Sequence, residues 1–477
     1  MTKTVHAFAD GFPTPTTGDW RQLAEKALRG ADFDETLVRQ TSDGIARGPI
    51  FFDAPAASHT VDSAPRDRHL PWGMRQTLVE ATPAAANAAA LSDLMGGASE
   101  LELRLDPAGK LGLAACDLES LDETLRGVDL SLAPIHLDAL NHSTDHANLL
   151  ITLFARRRLD GDEVSGGLGL APIELRARQA IRYSDQDFDS VIDLAQLTAA
   201  AFPKLKIMRC NAALAFEAGG TEVHELAMLV ASGASYMRLL LDAGLDADQA
   251  ATAIEGRLAV DSDIHLGIAK LRAARRIWGR MAGAFGASNT ASRLSLQATT
   301  SYRMLSASDP WSNLIRVSCA GFAAASGGAD TITIRPLTEA LGRPTRFGRR
   351  IARNLHMLLA EESHLGKVTD PASGSYLHET LSDKLATDAW QLFQDIEARG
   401  GLYDAMKSGW FQGMVSAARD TRQKAIIDGA EAMIGVNKFP DPDPKAVEID
   451  DVWSQMDPEQ GAMLPMRWAS ALEGEAQ

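Results

Sequence analysis

Short apolar runs alternate along this chain with longer stretches whose apolar residues recur every three or four positions. The short runs are Leu101–Leu105, Ala133–Leu137, Leu168–Ile173, Leu205–Ala212, Ser235–Leu241, Arg257–Val260, Arg293–Thr299 and Asp330–Ile334, each of the length of a buried strand. Between them the spacing predicts helices such as Thr144–Arg157, Phe188–Ala201, Ile264–Phe285 and Trp311–Ala325. In the third of these Ile264, Ile268, Leu271, Ile277, Trp278 and Met281 share a face, while Arg272, Arg276 and Arg280 lie off it. Eight strands alternating with helices predict an α/β protein built as a (β/α)8 barrel rather than an open sheet.

The flanks read differently. Asp19 stands ahead of Trp20–Arg29 and Gly30 follows, which predicts a capped helix with Trp20, Leu23, Ala24, Ala27 and Leu28 on one stripe. From Pro55 to Pro71 there is little to bury, so this stretch reads as an extended linker. Past the last strand, Arg349–Leu359 and Leu381–Arg399 read as helices around a Gly-rich turn, Asp370–Tyr376. The chain thus divides into an N-terminal arm and linker (1–70), a barrel with its following helices (71–438) and an acidic, Pro-interrupted tail (439–477) expected to lie on a surface or a partner.

Composition narrows the class. Of 477 residues 45% are hydrophobic and 23% charged, and the formal net charge is −16 with no basic run longer than Arg156-Arg157-Arg158. A nucleic acid or an anionic membrane surface is therefore a poor partner. Cys116, Cys210 and Cys319 lie too far apart for a zinc site or a disulfide framework, which points to a reducing cytoplasm. Met1–Gly18 is broken by Asp10, Pro13 and Pro15 and lacks the apolar core of a signal peptide. No run approaches the ~18 apolar residues of a membrane span.

Candidate chemistry is sparse. His142 and His146 with Asp145 have the helical spacing of a metal or general-base site, but Ser143, Thr144 and Asp145 serve more simply as a cap and first turn, and no metal is expected. His224 with Glu225 reads as a solvated helix pair. Gly166-Gly167-Leu168-Gly169 and Gly327-Gly328 lack the spacing of phosphate loops and read as turns and strand entries. Arg349, Arg350 and Arg353 suit either a phosphate group or a solvated or partner-facing helix.

Six stretches carry a resemblance. They are Pro71-Trp72-Gly73-Met74-Arg75-Gln76, Glu217-Ala218-Gly219-Gly220, Ala269-Lys270-Leu271-Arg272-Ala273-Ala274-Arg275, Arg350-Ile351-Ala352-Arg353-Asn354, Asp370-Pro371 with Gly374-Ser375-Tyr376, and Ile434-Gly435-Val436-Asn437-Lys438. In order and spacing they resemble the cobalamin-dependent methylmalonyl-CoA mutase family over roughly residues 19 to 440. The resemblance implies a TIM barrel with the pantetheine arm of an acyl-CoA along its axis, and adenosylcobalamin presented at the mouth by a separate domain.

Carried over residue by residue, the family's working groups are altered. The Tyr expected after the Arg-Gln pair is Thr77, and the Tyr-His expected before Glu-Ala-Gly is Ala213 and Leu214. The Arg that pairs with the substrate carboxylate aligns on Asp189, of opposite charge, and a His that helps hold CoA aligns on Gln297. No catalytic residue is therefore expected, and Leu205, Ile207, Met208 and Leu214 are expected to close the barrel axis. The cobalamin signature Asp-x-His-x-x-Gly has only Asp263-Ile264-His265-Leu266-Gly267 as its nearest string, one residue short. The chain stops where catalytic chains enter the linker to the cobalamin domain, so no corrinoid is expected on this chain.

The resemblance thus implies a non-catalytic subunit like the small or β chain of heterodimeric mutases. The helix around Asp19-Trp20-Arg21 and the late Leu464-Pro465-Met466-Arg467 also resemble β-chain features. The expected partner is a catalytic methylmalonyl-CoA mutase subunit carrying adenosylcobalamin, met through Trp20, Leu23, Ala27 and Leu28. The alternative is the substrate-binding barrel of a split acyl-CoA mutase that uses a cobalamin-domain protein in trans.

Overall fold

The computed structural model describes residues 16–53, 67, 70–139, 143–179, 186–453 and 463–473. Its centre is a closed barrel of eight parallel strands, here β1 (Gly73–Leu78), β2 (Glu100–Leu105), β3 (Ile135–Ala139), β4 (Gly166–Leu170), β5 (Leu205–Asn211), β6 (Ile254–Val260), β7 (Ser295–Thr300) and β8 (Thr331–Thr333). Each pairs with its sequence neighbour, and β8 closes on β1 through Thr331 opposite Gly73 and Ile332 opposite Met74. The chain is a (β/α)8 barrel, as the alternation predicts.

Strand alternation builds two layers. On β2, Leu101, Leu103 and Leu105 point outward to the helices and are essentially fully buried, while Glu100, Glu102 and Arg104 point inward. Each buried leucine contributes roughly 1.5–3 kcal/mol from removal of apolar surface, so the core of this barrel is the shell between strands and helices.

Two elements differ from the pattern. Ser235–Leu241 is not a strand but part of a helix, Glu222–Asp242, capped by Thr221. That helix is buried over most of its circumference, so its sequence lacks the polar face that marks a surface helix. Its place in the strand count is taken by β1, whose inward Arg75 and Thr77 interrupt the apolar run and hide it. The remaining strands and helices agree with the pattern to within a few residues.

Arg272 also departs from the amphipathic reading. The Ile264–Ala284 helix packs against both Glu222–Asp242 and Tyr376–Glu397, and Arg272 is buried between Asp370 and Glu379, donating to Glu379 at 2.6 Å. Arg349 and Arg353 are buried too, both held by Asp93 rather than solvated, while Arg350 is exposed. The scaffold motifs thus owe their residues to buried pairs: Lys270 meets Glu225 at 2.5 Å, and Asn437 bridges the Ile426 and Glu431 carbonyls and the Met433 N–H.

The arm begins with helix Thr17–Ala27, capped not by Asp19 but by Thr16, with Asp19 completing a reciprocal capping box. This helix buries no residue fully. Trp20 leans on Phe33 and Phe52 while Leu23 is 67% exposed. A short ladder, Arg39–Gln40 with Ala46–Arg47, then docks on the barrel helices: Arg47 pairs with Asp263 at 2.8 Å, and Asp43 accepts from the Val223 N–H at 3.3 Å. Of the linker read from Pro55 to Pro71, all but Asp67, Leu70 and Pro71 lies outside the described residues.

The described parts of the tail lie against the barrel. Ile449–Val452 pairs antiparallel with Gly342–Pro344, Trp453 Nε1 donates to the Glu339 carbonyl at 2.8 Å, and the Met466 and Trp468 N–H groups donate to Glu217 and Arg303 carbonyls at 2.9 Å. Glu473 then accepts from the Ala307 and Ser308 N–H groups at 2.7 and 3.0 Å. The described segments up to Trp453 and from Met463, together called the strap here, thereby lie at the C-terminal end of the barrel. Among the described residues no helix is long and apolar enough to cross a membrane.

Candidate functional site: the barrel bore and mouth

The inward side chains of the strands meet as ions. Arg75 on β1 donates to Glu255 on β6 across the bore (2.7 and 3.2 Å) and to Glu100 at 2.9 Å. Arg209 on β5 reaches Glu255 at 3.1 Å and Glu102 at 3.2 Å, and Arg257 reaches Glu102 and, at 3.5 Å, Asp138. His136 lies 3.1 Å from the Arg75 guanidinium and 3.3 Å from Glu100. Gly169, at φ +65°, makes room for this lattice: a Cβ there would stand 2.1 Å from the Leu137 carbonyl oxygen that accepts from Arg209. The glycine run is therefore part of strand β4.

Burial alone would raise these carboxyls, but the arginines outweigh it. Burial opposes ionisation of Glu255, yet Arg75 and Arg209 hold it well below the usual range. Burial also pushes Glu100 upward, and Arg75 overrides it to hold the carboxyl at about 2. His136 moves the other way, pushed down first by burial and then by Arg75.

Above this layer lies a cavity of ≈ 410 Å³ at the C-terminal ends of the strands, lined in part by Trp453, Leu464 and Pro465 of the strap. Thr77, Ala213 and Leu214 line it; Thr77 donates to Glu102 at 3.2 Å, and Ala213 and Leu214 are buried at the start of the short Ala213–Glu217 helix. Leu205, Ile207 and Met208 are buried on β5 and do not line this cavity. Gln297 lies deeper, wholly buried, accepting from Arg257 at 2.8 Å and donating to Thr333 at 3.1 Å. Asp189 does not join them: it sits exposed on the Gln186–Ala201 helix, outside the residues that bound the cavity.

The other candidates scatter. His142 lies outside the described residues, while His146 is buried in the Ser143–Arg156 helix. His224 is the third residue of its helix, its ring accepting from the Thr221 N–H, and Glu225 is the buried partner of Lys270 rather than a solvated neighbour. The described residues contain no group of three metal-binding side chains. Among them no histidine lines the mouth, and His265 is hydrogen-bonded to His378 at 3.1 Å, in a separate surface groove with Arg47 and Phe51.

The bore residues Arg75, Glu102, Arg209, Glu255 and Arg257 are not among the residues that the sequence singles out as candidates. Their signal is nevertheless present in the strict alternation of Glu100-Leu101-Glu102-Leu103-Arg104-Leu105 and of Glu255-Gly256-Arg257-Leu258. Charges alternating with leucines on a strand mark a polar face, and in a barrel that face is the inside.

Comparison with known proteins agrees with this architecture. The pattern describing the methylmalonyl-CoA mutase family matches residues 65–465. The chain is similar to the methylmalonyl-CoA mutase small subunit of Streptomyces virginiae, 35% identical over 451 residues, covering 91% of this chain and 72% of that one. It is 32% identical over 461 residues to the small subunit from Propionibacterium freudenreichii subsp. shermanii, covering 92% and 71%. With the methylmalonyl-CoA mutase of Cereibacter sphaeroides it shares 30% over 472 residues, 91% of this chain and 65% of that one. By its barrel, its buried scaffold pairs and these likenesses, the chain belongs to the methylmalonyl-CoA mutase family.

Proposed function

We propose that this chain is a non-catalytic, β-like subunit of a cobalamin-dependent methylmalonyl-CoA mutase, supporting the methylmalonyl-CoA/succinyl-CoA isomerase of a partner chain. The observation that carries this reading is the filled bore. A pantetheine arm on the axis would have to separate Arg75 from Glu255 and Arg209 from Glu102, all buried. Breaking one such pair costs about 3–5 kcal/mol because it strands a charge away from water, and a slender amide chain brings no charge to replace it. Thr77, Ala213 and Leu214 at the mouth supply neither a phenol nor an imidazole.

In this reading adenosylcobalamin is held by the partner, and this chain contributes its shape. The small-subunit names of two similar proteins support a partnership, and the unburied helix of the arm offers a face for it. The test has two parts. Co-expression with a mutase large chain should give a stable heterodimer on gel filtration, and calorimetry of the isolated chain with methylmalonyl-CoA and succinyl-CoA should show no saturable heat. Micromolar acyl-CoA binding would instead favour the split-enzyme alternative, and failure to recover any mutase chain would end the subunit reading.

A further inference from the structure

The Ile264–Ala284 and Tyr376–Glu397 helices pack together, and each carries a histidine in its first turn: His265 is the second residue of one and His378 the third of the other. From positions 113 apart in sequence, His265 Nδ1 and His378 Nε2 come within 3.1 Å. The Nδ1 of His378 is buried and has no hydrogen-bond partner among the described residues, so Nε2 is the nitrogen this ring presents. His265 is exposed and lines the surface groove that Arg47, Pro49 and Phe51 of the arm form with Tyr376.

That spacing is the bite of a metal ion. Imidazole nitrogen bonds zinc at about 2.0–2.1 Å, so two nitrogens 3.1 Å apart subtend an angle of about 100° at an ion between them. The angle lies between the square-planar geometry of copper(II) and the tetrahedral geometry of zinc. As a bare pair, one ring donates its proton to the other; an ion takes the place of that proton, which moves to the second nitrogen of its own ring. The charges acting on His378 are Arg272 and, with opposite sign, Glu379 and Asp370, while beside His265 the helix cap Asp263 pairs with Arg47 at 2.8 Å. Three carboxylates thus face two guanidiniums, and the excess offsets the positive helix ends, which oppose a cation.

We propose that His265 and His378 form a surface site for a divalent transition metal of the copper and zinc class, with two protein ligands and water in the remaining positions. The ion clamps the first turns of two helices together beside the docked arm. Imidazole donors select this class over hard ions such as magnesium, which demand oxygen. Copper(II) should bind more tightly than zinc, following the general order of divalent affinities. The inference stands apart from the subunit reading, since it needs only this chain.

Copper(II) is the probe, with zinc(II) and magnesium(II) beside it, titrated into the full chain without an affinity tag and after chelator treatment. Calorimetry gives the affinity, and electron paramagnetic resonance of the copper complex counts the nitrogen ligands. Differences between wild type and variant remove ions held elsewhere on the chain. Wild type should bind copper with half-saturation below about 100 μM, show coupling to two nitrogens, and melt at a higher temperature when loaded. His265→Gln and His378→Gln should each lose about tenfold or more of that affinity, the second nitrogen and the thermal shift. His265→Gln, on the exposed ring, decides the matter if His378→Gln fails to fold. No saturable copper binding below about 100 μM overturns the proposal. So does a two-nitrogen signal that survives His265→Gln, which would place the ion on other histidines, or equal binding of magnesium, which would mean an unselective cation surface.

Discussion

Arg75 and Glu255 face each other across the barrel axis from β1 and β6, joined by two hydrogen bonds of 2.7 and 3.2 Å, with both side chains almost completely out of water. The pair stands where the family resemblance places a pantetheine arm, and it turns the bore from a passage into a cross-brace. Truncation of one member is therefore expected to be severe. Glu255→Ala leaves Arg75 and Arg209 short of a counter-ion and should lower stability by about 3–5 kcal/mol, read as a lower urea midpoint with an unchanged denaturant slope. An effect under about 1 kcal/mol would mean that water or Glu100 compensates and that the brace is weak.

Restoring the family's missing groups should not restore chemistry. Thr77→Tyr with Leu214→His rebuilds the expected phenol and imidazole at the mouth, yet leaves Arg75, Arg209, Glu102 and Glu255 in place below. The double variant should show no methylmalonyl-CoA turnover with adenosylcobalamin and a cobalamin-domain protein in trans. Turnover above the wild-type background would show that acyl-CoA reaches the mouth by another route.

The arm gives a direct test of partnership. Leu23 is 67% exposed, whereas Trp20 also supports Phe33 and Phe52. Leu23→Ala should leave the melting temperature of the isolated chain unchanged and weaken the heterodimer, with Trp20→Ala added weakening it by about tenfold or more, in the range of an aromatic interface anchor. Unchanged co-elution of the double variant would move the interface elsewhere.

Docking of the arm ladder should depend on pH. Burial, and then repulsion from Glu222, raise the Asp43 carboxyl to about 7. Because the docked state binds this proton more tightly than the undocked one, docking is favoured in acid and weakens as pH rises from the ordinary carboxyl range through about 7. Amide exchange at residues 41–47 should therefore quicken, beyond its intrinsic rate, between about pH 4 and 7 and then level off. Asp43→Asn should flatten the profile.

The body of the molecule responds with the opposite sign. His356, which accepts from Trp72 Nε1 at 3.2 Å, is pushed down to about 3 by burial, and Glu100, against the upward push of burial, is held at about 2 by Arg75. Both bind protons more weakly folded than unfolded, so their contributions are present above the ordinary values and are lost as pH falls towards 3 and 2. His356→Gln should shift the acid unfolding midpoint downward and remove part of its steepness.

The barrel is readable in the sequence because its outer layer obeys a simple rule: leucines on strands face amphipathic helices. Charge is what local pattern does not convey. Arg75, Arg209, Arg272 and Arg349 look solvated when each is judged by its neighbours in sequence, and only the closed topology brings Glu255, Asp370 and Asp93 to them, from 46 to 256 positions away. The strap escapes the pattern for a related reason. Prolines and acids in the tail predict irregular backbone, and irregular backbone can still be pinned by single N–H groups, as Met466 is on Glu217 and Trp468 on Arg303. Thr77, Ala213 and Leu214, each beside a motif, line one cavity, whereas Asp189 lies beyond residues 180–185, where an ungapped count has no anchor.

The alternation of Glu100, Glu102 and Arg104 on β2 also acts as a ratchet on assembly. Side chains keep their face only when a strand slips by an even number of residues, so a two-residue slip is the error that apolar packing tolerates best. On β2 that slip would carry Arg104 into the place of Glu102, against Arg209 and Arg257. Three cations would then crowd one buried spot, and the misaligned barrel could not close.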